Sequence, residues 1–290
     1  MANLKLRRPE NVNGDFYVDN TCIDCDTCRW MAPEVFRSIH EQSAVYQQPK
    51  NSTERLAALQ ALLSCPTNSI GTVEKPEDIK IAQENLPISV AENVYHCGYH
   101  SEKSYAAASY FIQHPEGNIL VDSPRFTAPL VQRLEEMGGI AYMYLTHRDD
   151  IADHQKFAEH FQCQRILHLD DIAAGTRNVE IQLTGLEQFA LTTDVLIIPV
   201  PGHSPGHTVL LYKNKFLFTG DHLAWSKDLQ QLVAFRNFCW YSWTEQIKSM
   251  TKLANYSFEW VLPGHGRRFH ADADTMHQQM EKCIEWMKAV

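Results

Sequence analysis

The sequence predicts an α+β protein of two domains, residues 1–85 and residues 86–290. Three observations predict it. The chain has 290 residues, whereas single domains mostly hold about 100–150. Its 44% hydrophobic against 21% charged content is that of a globular chain, not a disordered one. The pattern also changes along its length: a cysteine-bearing segment and one helical run come first, a polar stretch follows at 72–85, and short β-rich runs alternate with helical runs thereafter.

Residues 12–20 (VNGDFYVDN) read as a strand leading into the loop that carries Cys22, Cys25 and Cys28. Residues 53–64 show the apolar spacing of a helix, with Thr53 as its N-cap, and that helix delivers Cys65 and Pro66. Beyond residue 85, ENVYHCGY, SYFIQ, NILVD and IAYMYLTH read as strands, and TAPLVQRLEEMG and DHQKFAEHFQ as helices. RILHL, TDVLIIPV, TVLLYK, KFLFTGD and EWVLPG are further strands, and DADTMHQQMEKCIEWMKAV is a closing helix. Many strands with helices between and after them predict sheets covered by helices.

Charge and hydropathy exclude several functions. The net charge is −9, with 26 basic residues scattered among 35 acidic ones, so the basic footprint of a nucleic-acid binder is missing. No run approaches the roughly 18 apolar residues of a membrane span. The segment MANLKLRRPENVNGDF lacks the apolar core of a secretory signal. A cytoplasmic location is expected, or the plastid stroma if the source is a photosynthetic eukaryote, without membrane insertion.

Of eight cysteines, Cys97, Cys163, Cys239 and Cys283 are scattered and read as small buried hydrophobes. The other four form Cys22-Ile-Asp-Cys25-Asp-Thr-Cys28 with a distant Cys65-Pro66. Three thiolates on a curling loop suit three corners of a cubane, and the Cys-Pro after the helix suits the fourth. Structural zinc sites, the alternative for four cysteines, typically pair two C-x2-C knuckles. Over about residues 12–75 the pattern resembles bacterial-type ferredoxins. Where a two-cluster ferredoxin has another Cys-Pro, this chain has Ala32-Pro33. The resemblance therefore implies one [4Fe-4S] cluster, a ferredoxin-like domain, and a redox partner protein at that domain.

The second motif set is Thr146-His147-Arg148-Asp149-Asp150-Ile151-Ala152-Asp153-His154, then Pro201-Gly202-His203-Ser204-Pro205-Gly206-His207, then Thr219-Gly220-Asp221, then Pro263-Gly264-His265. Each follows a strand, where ligands are held rigidly while the loops leave a cleft open. Over about residues 86–275 this order resembles the metallo-β-lactamase superfamily. The resemblance implies an αββα sandwich and two divalent metal ions, zinc or iron. It implies that His147 and His203 bind one metal, that Asp153, His154 and His265 bind the other, and that Asp221 bridges them.

The first motif departs from the family pattern, because its second histidine is missing and two residues precede Asp153-His154 as an insertion. Asp149 or Asp150 stands near the vacant position; Asp149 keeps the one-residue spacing from His147. A carboxylate there resembles the flavodiiron proteins of the superfamily, which hold iron, although carboxylate and imidazole serve both metals. The two-domain layout as a whole resembles the ferredoxin–metallo-β-lactamase fusions of oxygenic phototrophs.

Two bridged metals make a nucleophilic water available near neutral pH and polarise the electrophile. That equipment implies a hydrolase of a small-molecule ester, thioester, amide or phosphodiester, tied to redox state by the fused cluster. Asp153 or Asp221 would orient the nucleophile, and His207 would stand behind the ligands, face the substrate, or simply pack in its loop. One alternative is an oxidoreductase in which the cluster passes electrons to a di-iron site. Another is a non-catalytic assembly or redox-sensing protein, which the irregular first motif motivates.

Other features have plain readings beside functional ones. The aromatic run 238–243 lines a substrate pocket or packs in the core, and Arg236 meets an anionic substrate or solvent. His96 and His100 are expected to be structural. Trp30 shields the cluster from water or packs beneath its loop.

Overall fold

The structure, a computed structural model, describes residues 2–290. It divides into two compact units, Met1–Gln113 with Pro124–Gly139, and His114–Ser123 with Ile140–Val290.

In the first unit, strand Phe16–Val18 pairs antiparallel with Ile70–Thr72, and Phe36–Ile39 forms a hairpin with Gln42–Val45. Helix Ser52–Ser64 packs on this framework, and Phe16, Val18, Phe36, Val45, Leu59 and Ile70 form the buried core. The helix begins earlier than its apolar spacing predicts. Asn51, not Thr53, is the N-cap and accepts from the Glu54 N–H, while Glu54 accepts from the Lys50 N–H, a reciprocal cap. Its C-cap is Cys65, extended at φ −62°, ψ 120°, as the residue before a proline must be. The chain reaches Cys65 already turned out of the helix.

Strands Ile88–Ala91, Val94–His96 and Tyr110–Ile112 run antiparallel and group with this first unit, although they lie beyond residue 85. Hydrogen bonds from residues beyond 85 also reach the cysteine-bearing segment of this unit. The Tyr105 hydroxyl donates to the Ile23 carbonyl at 2.8 Å. Arg125 donates to the carbonyls of Leu63 and Cys65 at 2.7 and 3.1 Å.

The second unit holds parallel strands Ile119–Val121, Tyr142–Tyr144, Gln164–His168 and Ile181–Leu183. Its other sheet runs Phe189–Ala190, Val195–Pro199, Thr208–Tyr212, Phe216–Gly220, Trp260–Pro263, Phe269–His270. Strands Thr208–Tyr212 and Phe216–Gly220 are buried at every position, because both faces are covered. On one face Val209, Leu211, Leu217 and Val261 meet Met250, Leu253, Met276, Met280 and Met287 of helices Trp243–Leu253 and Ala273–Ala289. On the other, the hydroxyls of Tyr144 and Thr208 join the two sheets at 2.8 Å. Helix His154–Phe161 buries Phe157. No helix of the described residues is long and apolar enough to cross a membrane.

Candidate functional site

Four strands of the second unit end at the motif residues. Tyr142–Tyr144 runs into His147–Asp150, Val195–Pro199 into His203, Phe216–Gly220 into Asp221, and Trp260–Pro263 into His265. His147 Nε2 lies 3.8 Å from Asp149 Oδ2 and 3.8 Å from Asp221 Oδ2. His203 Nε2 lies 3.6 Å from the same Asp149 oxygen and 3.9 Å from the same Asp221 oxygen. Donor atoms on a tetrahedral ion at ~2.1 Å are separated by about 3.4 Å, so four donors already surround a volume of cation size. Neither His203 ring nitrogen nor His147 Nε2 has a hydrogen-bond partner despite burial, as expected of groups shaped for a metal.

Asp221 faces two ways. Its Oδ2 meets the two histidines, and its Oδ1 lies 2.6 Å from His265 Nδ1. Burial raises the Asp221 carboxyl, but His265, His147 and His203 more than offset that and hold it well below the usual carboxylate range. Asp150 forms a second donor group with His147 and Asp221. It is buried, neither carboxylate oxygen has a partner, and burial followed by the Asp221 charge pushes its pKa well up. A buried, unpaired carboxylate is costly, and a cation beside it removes that cost.

The orientation of His147 comes from behind. Thr146 donates its backbone N–H to Asp122 at 2.8 Å, and its hydroxyl lies 3.0 and 3.1 Å from the two Asp122 oxygens. With Asp122 ionised, that hydroxyl donates to it and accepts from His147 Nδ1, 3.0 Å away. Burial raises the Asp122 pKa to about 7, so it is when Asp122 is ionised that His147 carries its proton on Nδ1 and turns the Nε2 lone pair to the site. Burial lowers its pKa to about 4, so the ring is neutral near pH 7.

Glycine makes two of these approaches possible. Gly220, at φ +49°, would place a Cβ 2.5 Å from Thr146 Oγ1, and a Cβ on Gly264 would sit 2.7 Å from Asp150 Oδ2.

Asp153 and His154 are placed elsewhere, which redraws the expected ligand set. Asp153 is the N-cap of helix His154–Phe161; its N–H donates to Ser123 Oγ at 3.0 Å and its Oδ1 lies 3.1 Å from Lys156 Nζ. His154 Nδ1 lies 3.3 Å from Arg165. The two inserted residues carry this pair onto the helix, and Asp150 occupies the site instead. His207 is fully buried, stacked on His147 at 4.9 Å, and its Nε2 accepts the Asp221 N–H at 3.3 Å.

Two residues escaped sequence reasoning. Asp171, fully buried, accepts from the Arg148 backbone and guanidinium, from Ser204 Oγ at 2.5 Å and from the Gly206 N–H at 2.9 Å. It ties the 147–150 loop to the 203–207 turn. His222 is buried with both ring nitrogens unpartnered, 5.4 Å from His207 between ring centres. Only its position after Asp221 signalled it.

A cleft of about 520 Å³ lined by Arg148, Asp149, Ser204, Pro205, Trp240 and Tyr241 lies beside the site. Phe238, Trp240 and Tyr241 are exposed, while the Trp240 and Tyr241 N–H groups donate to the His203 carbonyl. The aromatic run thus divides: Trp240 and Tyr241 edge the cleft, while Trp243 packs against the core. Arg236 lies over the Trp243 ring at 5.8 Å. Of the scattered cysteines, Cys97, Cys163 and Cys283 are buried, and half-buried Cys239 donates to the Gly202 carbonyl.

In the first unit, Cys22, Cys25, Cys28 and Cys65 line one cavity with Val18, Ile23 and Ile70. Asp24 and Asp26 adopt left-handed φ values of 60° and 64°, and Arg29 clamps both carboxylates at 2.5 Å. The Ser69 N–H points at Cys65 Sγ from 3.3 Å and the Ser43 N–H at Cys22 Sγ from 3.5 Å. Burial raises Cys28, and the neighbouring thiols raise it further. Four crowded thiols with N–H donors aimed at sulfur fit an iron–sulfur cubane.

Comparison with known proteins bears on both parts of the chain. Residues 18–72 match the 4Fe-4S single cluster domain of Ferredoxin I. No curated protein matches the chain. Among solved structures, VMB-1 superposes with a TM-score of 0.53 at 16% identity, over 69% of this chain and 95% of its own. The DIM-1 metallo-β-lactamase gives 0.53 at 18% identity, over 68% and 95%. The metallo-β-lactamase FIM-1 from Pseudomonas aeruginosa, in its mono-zinc form, gives 0.52 at 15% identity, over 68% and 93%. The protein carries a single-cluster 4Fe-4S ferredoxin domain at residues 18–72 and, beyond it, the metallo-β-lactamase fold.

Proposed function

We propose that the protein is a metal-dependent hydrolase of a small-molecule substrate, with one [4Fe-4S] cluster on Cys22, Cys25, Cys28 and Cys65. Two divalent ions complete the site, one held by His147, Asp149 and His203, the other by Asp150 and His265, with Asp221 shared. The observation that carries this reading is the division of Asp221: one oxygen faces the histidine pair and the other faces His265. Bound divalent ions supply a water of lowered pKa and polarise the bond to be cleaved.

The chain's own residues do the rest. The half-exposed Asp149 reaches the cleft, where an attacking water and a scissile ester, thioester, amide or phosphodiester meet. Its pKa is lowered, chiefly by His203, so it stays an acceptor near neutral pH. Trp240 and Tyr241 offer an apolar edge for the substrate body, and Asp171 holds Arg148 at the rim. A redox partner would dock at the ferredoxin domain and set the cluster's state.

A second reading is favoured by three carboxylates, Asp149, Asp150 and Asp221, in the donor groups. Oxygen donors suit iron as well as zinc, and an iron pair fed by the cluster makes an oxidoreductase. Metal analysis of protein purified without oxygen separates the two: about four irons with two zincs supports the hydrolase, and about six irons without zinc supports the oxidoreductase. A panel of esters, thioesters, amides and phosphodiesters then tests hydrolysis, with Asp221→Asn as control. Full turnover by that variant sinks the shared-aspartate site.

A further inference from the structure

The segment Tyr95-His96-Cys97-Gly98-Tyr99-His100 has no part in the metal site of the second unit, yet it lies against the cysteine loop. His100 Nδ1 is 2.7 Å from the Ala106 carbonyl and 3.2 Å from Thr27 Oγ1. Thr27 Oγ1 is in turn 3.4 Å from Cys25 Sγ. His100 Nε2 faces His96 Nε2 at 2.8 Å, and the Trp30 ring packs edge-on to His96 at 5.0 Å. Thr27, His96 and His100 are all essentially buried.

Hydrogen accounting gives this chain of contacts a direction. A carbonyl oxygen only accepts, so Ala106 requires a proton on His100 Nδ1. Thr27 Oγ1 faces that same N–H and is an acceptor towards it. A free Cys25 thiol donates to Thr27 Oγ1, but a cluster-bound Cys25 is a thiolate that only accepts, so the one hydroxyl proton of Thr27 is then left for its sulfur. The result holds whether His100 is neutral or charged, because Nδ1 bears a proton in both forms. Were Nδ1 a lone pair instead, the Thr27 hydroxyl would have a better acceptor than sulfur.

We propose that His100 is a positioning residue for the iron–sulfur site: it fixes Thr27 as a donor to Cys25 Sγ and thereby sets the reduction potential of the cluster. The inference rests on the reading that Cys22, Cys25, Cys28 and Cys65 hold a [4Fe-4S] cluster. Reduction adds negative charge that spreads onto the cysteine sulfurs, and a donor aimed at one of them favours the reduced state. His96 meets His100 on its far side and keeps that ring in place, with Trp30 packed beside it.

The test is the midpoint potential of the full-length protein by film voltammetry, with iron and sulfide content and the EPR spectrum of the reduced cluster measured on each sample. Thr27→Val removes the hydroxyl and shifts the potential down; Thr27→Ser restores it. His100→Phe keeps a ring without the donor and also shifts it down. In the Thr27→Val background, His100→Phe adds nothing further, since its effect passes through the hydroxyl. An unchanged potential in Thr27→Val with the cluster intact overturns the proposal, as does an equal His100 effect with and without Thr27. Should His100→Phe fail to hold a cluster, proton ENDOR on wild type and Thr27→Val decides: an exchangeable proton coupling lost in the variant supports the relay, and identical spectra overturn it. A wild-type protein without iron and sulfide overturns instead the cluster reading beneath it.

Discussion

Asp171 accepts from the Ser204 hydroxyl at 2.5 Å, and this contact locks the loop bearing one candidate ligand to the turn bearing the next. The same carboxylate holds Arg148, next to His147, and the Gly206 N–H, next to His207. Its place in the fold is that of a buckle under the site. Replacing it strands a buried N–H and hydroxyl, and each such group costs about 1–3 kcal/mol. Asp171→Ala is therefore expected to lose about 2–5 kcal/mol of stability in urea unfolding of the metal-free protein. A loss under about 0.5 kcal/mol would show that the buckle is not needed.

Thr146 relays Asp122 to His147 and fixes which ring nitrogen faces the site. Thr146→Val keeps the shape and removes the hydroxyl. Partners behind a metal ligand typically matter by 10–100-fold in affinity, so zinc binding by competition with a chelator is expected to weaken within that range. Equal affinities in variant and wild type would mean the tautomer is set by something else.

The redrawn ligand set is open to direct comparison. Asp150→Asn is expected to lose about one metal equivalent by elemental analysis, because Asp150 groups with His147 and Asp221. His154→Gln is expected to keep the wild-type metal content, since His154 meets Arg165. The reverse outcome would restore the family-derived assignment of His154.

His222 sets a pH dependence of stability. Burial lowers its pKa from 6.5 to about 3. As pH falls below 6.5 the unfolded chain takes up the proton first, so the unfolded state binds more protons between pH 6.5 and about 3. Stability is greatest above that window and is lost as pH falls through it. His222→Leu is expected to flatten this slope, measured as urea midpoints at several pH values. Parallel slopes for variant and wild type would remove His222 as the source.

By itself the sequence determined the ferredoxin segment and marked side chains that the strand ends of the second unit bring together. Cys22, Cys25, Cys28 and Cys65-Pro66 were legible because thiolates at that spacing have few structural uses. His203, Asp221 and His265 were legible because each follows an apolar run and stands at a glycine-containing turn, and His147 because it follows the apolar run IAYMYL beside a cluster of acidic residues, local signals that need no knowledge of neighbours. Tertiary structure alone decided the rest. Whether Asp150 or the Asp153-His154 pair enters the site depends on where helix His154–Phe161 begins once the chain is packed, and periodicity does not resolve a two-residue insertion. Asp171, His222 and the Thr27–His100 contact join residues far apart in the chain. Their hydrogen bonds and burial arise only when separate loops meet, so apart from the place of His222 beside Asp221 composition and spacing hold no trace of them.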